Sequence, residues 1–545
     1  MNTSPHSSLY WQYLQVACPS IAPDSLPSIS ATLETTNWDD PQTPLDWNNY
    51  GVLALIEAEQ ATDVDLRGLY VETAIAAFDN GANEHPLCAA HLALAYSLIG
   101  ETERASEIAA IAFMRVLQPL YAEAVTAPTG LIYLPPNAKR FAEGHPEALV
   151  LLIQLDNSLQ QALFLLSTLL GQHLLPVFYN QGGLRLLNLA TKVLPSSAAN
   201  DLTLGIANLM NGLWEGLFYL HHAEQLNPNS AAILQALYLA YRDLNDLAAA
   251  NYWLETARTR CPSPLQQASR WTDAAIDHTL TCLPFNDLLL TVKPSLSSIT
   301  TGVLLAKGDW FEAEMEFWRN QIQPGMTVID VGANVGVYTF SAAKRVGETG
   351  CVLAVEPFAD CVRCLQETCR INEFHWVKVI AGAASDRNHT ARLALHPASE
   401  LNRLITPESE FVESETTNVQ CFTLDSLIEQ AAIAHVDFLK IDAEGHEMQV
   451  LAGSEQLLTR LMPTIIYENI AGVDEANTSV ATFLQAKGYQ LFRYQPYLQT
   501  LVPVDKLDDL QMSLNIIAIK RVESRHKTSY KIPQVAPAAD QSSSE

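Results

Sequence analysis

The chain has 545 residues, too many for a single hydrophobic core, so two or three domains are expected. Hydrophobic residues make up 48% of it, enough to fold throughout. Its 32 Lys+Arg against 60 Asp+Glu give a net charge of -28, which repels nucleic-acid phosphates and anionic lipid and sets both aside as partners.

Residues 1–44 are rich in Ser, Pro and Thr and read as an irregular lead-in. Met1 to Ser20 has neither a basic start nor a continuous apolar core, so no targeting signal is expected. From Trp47 the composition shifts to Ala and Leu at helical spacing. Pro228 and Pro262 lie 34 residues apart, and the same offset relates Ala223 to Ala257, Leu220 to Leu254 and Gly216 to Ala250. This is the tetratricopeptide period, with small residues where paired helices touch and Pro where the second helix ends. An earlier copy runs through Leu92, Tyr96, Gly100, Ala105, Ala109 and Ala112. Residues 45–265 therefore resemble a degenerate tetratricopeptide array, an α-helical solenoid that either binds a protein partner or orients and assembles the rest. Asn157 to Leu184 carries no Asp, Glu, Lys or Arg. Its Gln, His, Pro and Asn residues and the lack of a basic flank favour a buried helix pair over a membrane span.

Residues 266–284 read as a linker, and 285–520 as a doubly wound α/β domain. The helical pattern Asp309 to Gln323 leads into a strand, Thr327 to Val331. The turn Gly332-Ala-Asn-Val-Gly336 follows, then a helix, Val337 to Val346. Further strands are expected at Cys351–Val355, Trp376–Ile380, Val436–Ile441 and Thr464–Tyr467, with helices at Phe358–Asn372, Glu447–Leu461 and Glu475–Lys487 between them. Two last strands, Tyr489–Tyr494 and Ser513–Ile519, should form an antiparallel edge hairpin. Alternating βα units predict a seven-stranded, mostly parallel Rossmann-like sheet. Residues 521–545 read as a disordered tail. Nine cysteines are scattered. The lone CxxC at Cys361 and Cys364 lacks zinc spacing and reads as buried thiols, which fits a reducing, cytoplasmic setting.

In an open sheet a ligand sits at the carboxyl ends of the strands. Here those ends are polar in sequence order: Asp330, Glu356, Ala383 to Asp386, Asp442 and Glu468. Gly332 and Gly336 give GxxxG rather than the GxGxxG of a dinucleotide loop. A carboxylate such as Glu356 can take both hydroxyls of a ribose, and a short side chain such as Ser385 can face an adenine. A nucleoside-bearing cofactor follows.

The motifs Ile329-Asp-Val-Gly-Ala-Asn-Val-Gly336, Glu356-Pro357, Thr423-Leu-Asp425, Leu439-Lys-Ile-Asp-Ala-Glu-Gly-His-Glu447, Val450-Leu-Ala-Gly453 and Ile465-Ile-Tyr-Glu468 resemble the FkbM family of S-adenosylmethionine-dependent methyltransferases. The resemblance spans about residues 300–495. It implies a class I methyltransferase fold and O-methylation of a hydroxyl on a glycan or small natural product. By position it implies Asp330, Gly332, Asn334 and Gly336 at the methionine end, flanked by Val335 and Tyr338. Glu356 would be at the ribose, and Phe358 at the adenine. A positive sulfonium suits acids at the turn, where a phosphate would be repelled. Glu312 or Glu314 either closes over the cofactor or faces solvent.

Removal of the hydroxyl proton needs a base in reach. Asp442, Glu444 and His446 are the candidates, in that order; Asp442 also borders the cofactor. Asp442, Glu444, His446, Glu447 and Glu468 offer ligands to magnesium or calcium, but acids at a helix start favour its dipole without an ion, and no metal is assigned. The rival reading is a tetratricopeptide-type binding protein with an inactive or cofactor-sensing domain.

Overall fold

The computed structural model describes residues 5–18, 26–120, 128–133, 157–173, 197–262, 267–273, 279–405, 415–469, 477–510 and 513–520, with 152–153, 155, 184–185 and 187–188 between them. The segment read as an irregular lead-in holds two helices, α1 (Pro5–Ala17) and α2 (Pro27–Thr35). Both open on proline, whose fixed φ suits the first helical turn, so the Ser/Pro/Thr content marks helix starts rather than loop. They bury Tyr10, Leu14, Ile29 and Leu33.

These two pack with α3 (Pro44–Gln60), α4 (Val64–Ala82), α5 (Pro86–Leu98), α6 (Thr102–Leu120) and α7 (Ser158–His173) around one core. Helix α7 is the buried start of the charge-free stretch, and the second helix expected there lies outside the described residues. Four more helices follow: α8 (Ala198–Met210), α9 (Gly216–Leu226), α10 (Ala231–Asp243) and α11 (Leu247–Arg260). Their small residues sit at helix contacts: a Cβ on Gly216 would lie 2.4 Å from the Gly205 carbonyl oxygen. This second group does not close its own core. It shares one with the sheet domain, so the expected single array is two packing units, one of them fused to the sheet domain.

The joint begins at a hairpin, β1 (Thr281–Phe285) with β2 (Leu288–Val292), where the sequence suggested the end of a linker. Gln235 of α10 donates to Thr281 Oγ1 at 2.8 Å and to the Cys282 carbonyl at 3.0 Å. Two helices then lead to the main sheet, α12 (Ile299–Lys307) and α13 (Glu314–Gln321).

The sheet grows from β3 (Thr327–Val331), β4 (Cys351–Glu356) and β5 (Val377–Ala381). A side sheet of β6 (Ala383–Ala384), β7 (His389–Ala394), β8 (Arg403–Leu404) and β9 (Thr416–Phe422) follows. Then come β10 (Phe438–Ile441), β11 (Thr464–Glu468), β12 (Tyr489–Gln495), β13 (Thr500–Pro503) and β14 (Asn515–Lys520). The main sheet has eight strands, not seven, in the order β13-β12-β14-β11-β10-β3-β4-β5. The extra strand, β13, is four residues with a proline, too short to leave a periodic signal. The two last expected strands do pair antiparallel, but not at the edge: β14 inserts between β11 and β12, antiparallel to both, and β13 takes the edge. The pairs from β11 through β5 are parallel.

Around the sheet lie α14 (Val337–Val346), α15 (Ala359–Asn372), α16 (Leu424–Gln430), α17 (Glu447–Ala452) and α18 (Thr478–Ala486). Helix α17 is shorter than expected, because the chain breaks at Gly453-Ser454 before a π-helical turn, Leu457–Leu461. All five residues of β3 are buried, as a central parallel strand requires. Its neighbours β4 and β10 lie on opposite sides, so the strand order reverses beside it and opens a crevice at its carboxyl end. No helix among the described residues is long and apolar enough to cross a membrane. The tail 521–545 and residues 406–414 lie outside the described residues.

Candidate active site

A cavity of about 700 Å³ opens at the carboxyl ends of β3, β4, β10 and β11. Its floor is the turn after β3. Gly332 has φ +74, and a Cβ there would fall 1.7 Å from the Asp442 carbonyl oxygen, so no other residue fits between the two strand ends. Asp330 is 2% exposed and accepts from Thr339 Oγ1 at 2.5 Å. Burial pushes its carboxyl up to about 6, against the opposing pull of Thr339 and Lys440. Glu356 ends β4 and binds two turns together. Its Oε2 accepts from the Asn334 N–H at 2.8 Å, and its Oε1 from the Phe358 N–H at 2.7 Å. Burial pushes it up to about 7. Each of its oxygens keeps a lone pair for a ligand hydroxyl.

Of the residues proposed for the cofactor, Asp330, Gly332, Asn334, Tyr338, Glu356 and Asp442 line the cavity. Gly336, Phe358 and Ser385 stand behind it. Gly336 backs onto Phe340 and Leu365. Phe358 caps α15 and packs into the core. Ser385 is 1% exposed, its Oγ 3.0 Å from His446 Nε2.

Around Lys440 runs a network that the strand pattern alone did not foretell. Lys440, 1% exposed on β10, donates to Asp442 Oδ2 at 3.0 Å and to Asn515 Oδ1 at 3.2 Å, and lies 4.9 Å over the Tyr338 ring. The Tyr338 hydroxyl donates to Glu312 Oε2 at 2.6 Å, and Asn515 Nδ2 reaches the same oxygen at 2.8 Å. Trp310 Nε1 donates to Glu312 Oε1 at 3.0 Å. Glu312 thus lines the cavity, while Glu314 lies buried beside it, pushed up to about 7 by burial and by Glu312. Neither faces solvent on a helix.

Carboxylate oxygens of Asp442, Glu444 and Glu468 lie within 4.8 Å of one another. Burial, then the neighbouring acids, push Glu444 up to about 8 and Glu468 well above the carboxylate range. The other two candidate ligands are engaged elsewhere. Glu447 Oε1 accepts from the Ala443 and Gly445 N–H groups, both at 3.1 Å, and so holds the turn. His446 is 9% exposed; its Nε2 meets Ser385, and burial lowers its pKa, which keeps the ring neutral. The CxxC cysteines are buried and free.

The outer wall comes from further away. Glu400 Oε1 accepts from Ser298 Oγ at 2.9 Å and the Thr300 N–H at 2.8 Å, which ties the start of α12 to the turn after β7. The β12–β13 turn enters the first helical unit. There Tyr497 meets the Tyr133 hydroxyl at 3.2 Å, and Arg493 pairs with Glu101 at 2.9 Å. Glu101 precedes α6, whose Ser106 lines the cavity. No local motif foretells Ser106 or Glu400; they arrive through tertiary packing. Lys440 had a signal: a charged residue inside an apolar strand faces a site or a partner.

Residues 330–491 match the family model of the methyltransferase FkbM domain. A search of curated proteins found no match. Among solved structures, methyltransferase FkbM from Methylobacillus flagellatus KT is 14% identical, covering 42% of this chain and 54% of that one, with a TM-score of 0.24. The chain thus spans about half of that protein. A SAM dependent methyltransferase from Aquifex aeolicus is 16% identical over 38% of this chain and 88% of its own, with a TM-score of 0.22. TYW2 of M. jannaschii, solved in complex with AdoMet, is 12% identical over 45% and 89%, with a TM-score of 0.25. Likeness at this level carries no functional assignment. The family-model match does: residues 330–491 carry an FkbM-type methyltransferase domain.

Proposed function

We propose that this domain transfers a methyl group from S-adenosylmethionine to a hydroxyl of a small molecule, a glycan or natural product. The observation that carries the reading is the convergence of Asp330, the Gly332–Asn334 turn, Glu356 and Asp442 on one cavity within the matched domain. The residues present fit this cofactor. Gly332 leaves bare backbone at the turn, Glu356 keeps lone pairs for ribose hydroxyls, and acids surround the place of a positive charge. When bound, S-adenosylmethionine supplies an electrophilic methyl group.

Asp330, Gly332, Asn334 and Tyr338 would hold its methionine end, and Glu356 its ribose. Asp442 is the base of this reading: it is paired to a buried ammonium and borders the acceptor side. Burial and the neighbouring acids push the Glu444 carboxyl up to about 8, which makes it a proton-carrying neighbour of Asp442 in this reading. His446 orients Ser385. Trp310, Thr300 and Ser106 form part of the cavity wall.

Helices α8–α11 are read as tetratricopeptide-like, supported by the burial of Leu220, Ala223, Ala250 and Ala257 at the repeat positions. Ser106 in the cavity wall favours a scaffolding role for the helices over recruitment of a separate partner. Calorimetric titration with S-adenosylmethionine tests the whole reading. Micromolar binding by the native chain, lost at least tenfold in Asp330→Ala and Glu356→Ala, is expected; a native chain that gives no heat sinks the reading. Mass spectrometry of methylated products in cell extract, with and without the enzyme, then finds the acceptor.

A further inference from the structure

The cavity is lined by seven carboxylates, those of Glu312, Asp330, Glu356, Glu400, Asp442, Glu444 and Glu468. Among the described residues, Lys440 is the one Lys or Arg on its wall. Its place is fixed by the strand. In the β3–β10 register Lys440 lies opposite Asp330, and Asp442 follows two residues on, so the three side chains share one face of the sheet. Its ammonium cannot swing to solvent. Two of its donors go to Asp442 Oδ2 and Asn515 Oδ1, and the Tyr338 ring lies beneath it. Asn515 and Tyr338 are in turn anchored on Glu312. A charge so held belongs permanently to the field of the cavity.

We infer that Lys440 is a specificity-determining residue: its fixed ammonium sets how strongly the site prefers a cationic sulfonium cofactor over the neutral thioether left after transfer. This rests on the cofactor reading above. The ionised acids among these seven, without a countercharge, would favour the cation and hold it against release. One buried positive charge reduces that preference and lets cofactor and product be held comparably. A unit charge about 5 Å from a bound cation, in a protein dielectric, changes its affinity by about tenfold or more and leaves a neutral ligand nearly untouched.

The test uses the full chain and two named ligands, S-adenosylmethionine and S-adenosylhomocysteine, titrated calorimetrically at pH 8.5. At that pH Asp330 and Glu356, at about 6 and 7, are ionised. Glu444, at about 8 and held down by Lys440, rises when the lysine is removed and takes up part of a proton, which shrinks the expected shift without reversing its sign. Lys440→Met should raise the preference for S-adenosylmethionine over S-adenosylhomocysteine by about tenfold, while Lys440→Arg keeps it within about twofold of native. If Lys440→Met fails to fold, Asn515→Asp sets a negative charge beside the ammonium and should move the ratio the same way. An unchanged ratio in the folded variant overturns the inference, as does an equal shift in Lys440→Arg, which would make packing the cause. A native chain that binds neither ligand overturns the cofactor reading, and this inference with it.

Discussion

In the helical region small residues sit where two helices press together: Gly216 faces the Gly205 carbonyl, and its replacement would force helices apart. In the sheet domain the decisive small residue sits where the chain must turn beneath the cavity: Gly332, at φ +74, faces the Asp442 carbonyl at the end of the neighbouring strand. The first kind of contact relaxes by sliding a helix. The second cannot, because β3 and β10 are locked in register on either side of it. Shape is distributed in one half and concentrated in the other.

The sharpest way to break this contrast is substitution at both glycines. Gly332→Val should cost about 4 kcal/mol or more and leave little soluble protein, whereas Gly216→Ala should cost about 1–3 kcal/mol. Urea melts decide it; equal costs would end the distinction. Glu356→Gln comes next. It leaves a neutral amide against the Asn334 and Phe358 N–H groups, and S-adenosylmethionine affinity should fall at least tenfold while the helical region keeps its far-ultraviolet signal.

The pH response separates the halves further. Asp330, Glu314, Glu356 and Glu444 have folded values raised from 3.8 or 4.5 to about 6, 7, 7 and 8. A carboxyl raised on folding binds more protons in the native state than in the unfolded one, so the stability it gives at low pH falls as pH rises from about 4 to about 8. The sheet domain without cofactor should lose a few kcal/mol across that window, in order-of-magnitude terms. Over the same range a cationic cofactor should bind more tightly. Thermal melts with and without S-adenosylmethionine at pH 5, 6.5 and 8 measure both; flat melting temperatures would contradict the shared cause. Arg493→Ala, which removes the partly exposed pair with Glu101, should cost about 1 kcal/mol and raise proteolysis at the start of α6. The smallest effect is expected at Trp214, 59% exposed on the helical region: Trp214→Ser should stay within about 0.5 kcal/mol of native by the same melts.

The central strand, its glycine turn and the acids at successive strand ends were legible, because each needs only a local pattern: a short apolar run, a residue free at positive φ, a charge at a strand end. The places of Gly336, Phe358 and Ser385 were not. Their motif positions fit a cofactor, but Gly336 turns toward Phe340, Phe358 packs into the core and Ser385 pairs with His446. One residue of register along a strand or turn moves a side chain to the opposite face. The two N-terminal helices and β13 escaped for the reverse reason: their local signals, proline and short length, are shared with loops.

The amino-acid sequence by itself determined the class of fold at β3, the order of polar strand ends and the small-residue spacing of the helices, since these follow from local sterics and periodicity. Only the tertiary structure decided which acids face one another, that Glu447 holds a turn while Glu444 and Glu468 meet Asp442, and that α6 adds Ser106, 221 residues before the start of β3, to the cavity wall. Those outcomes depend on how separate elements pack, and a buried charge takes its meaning from neighbours that the chain brings in from far along its length.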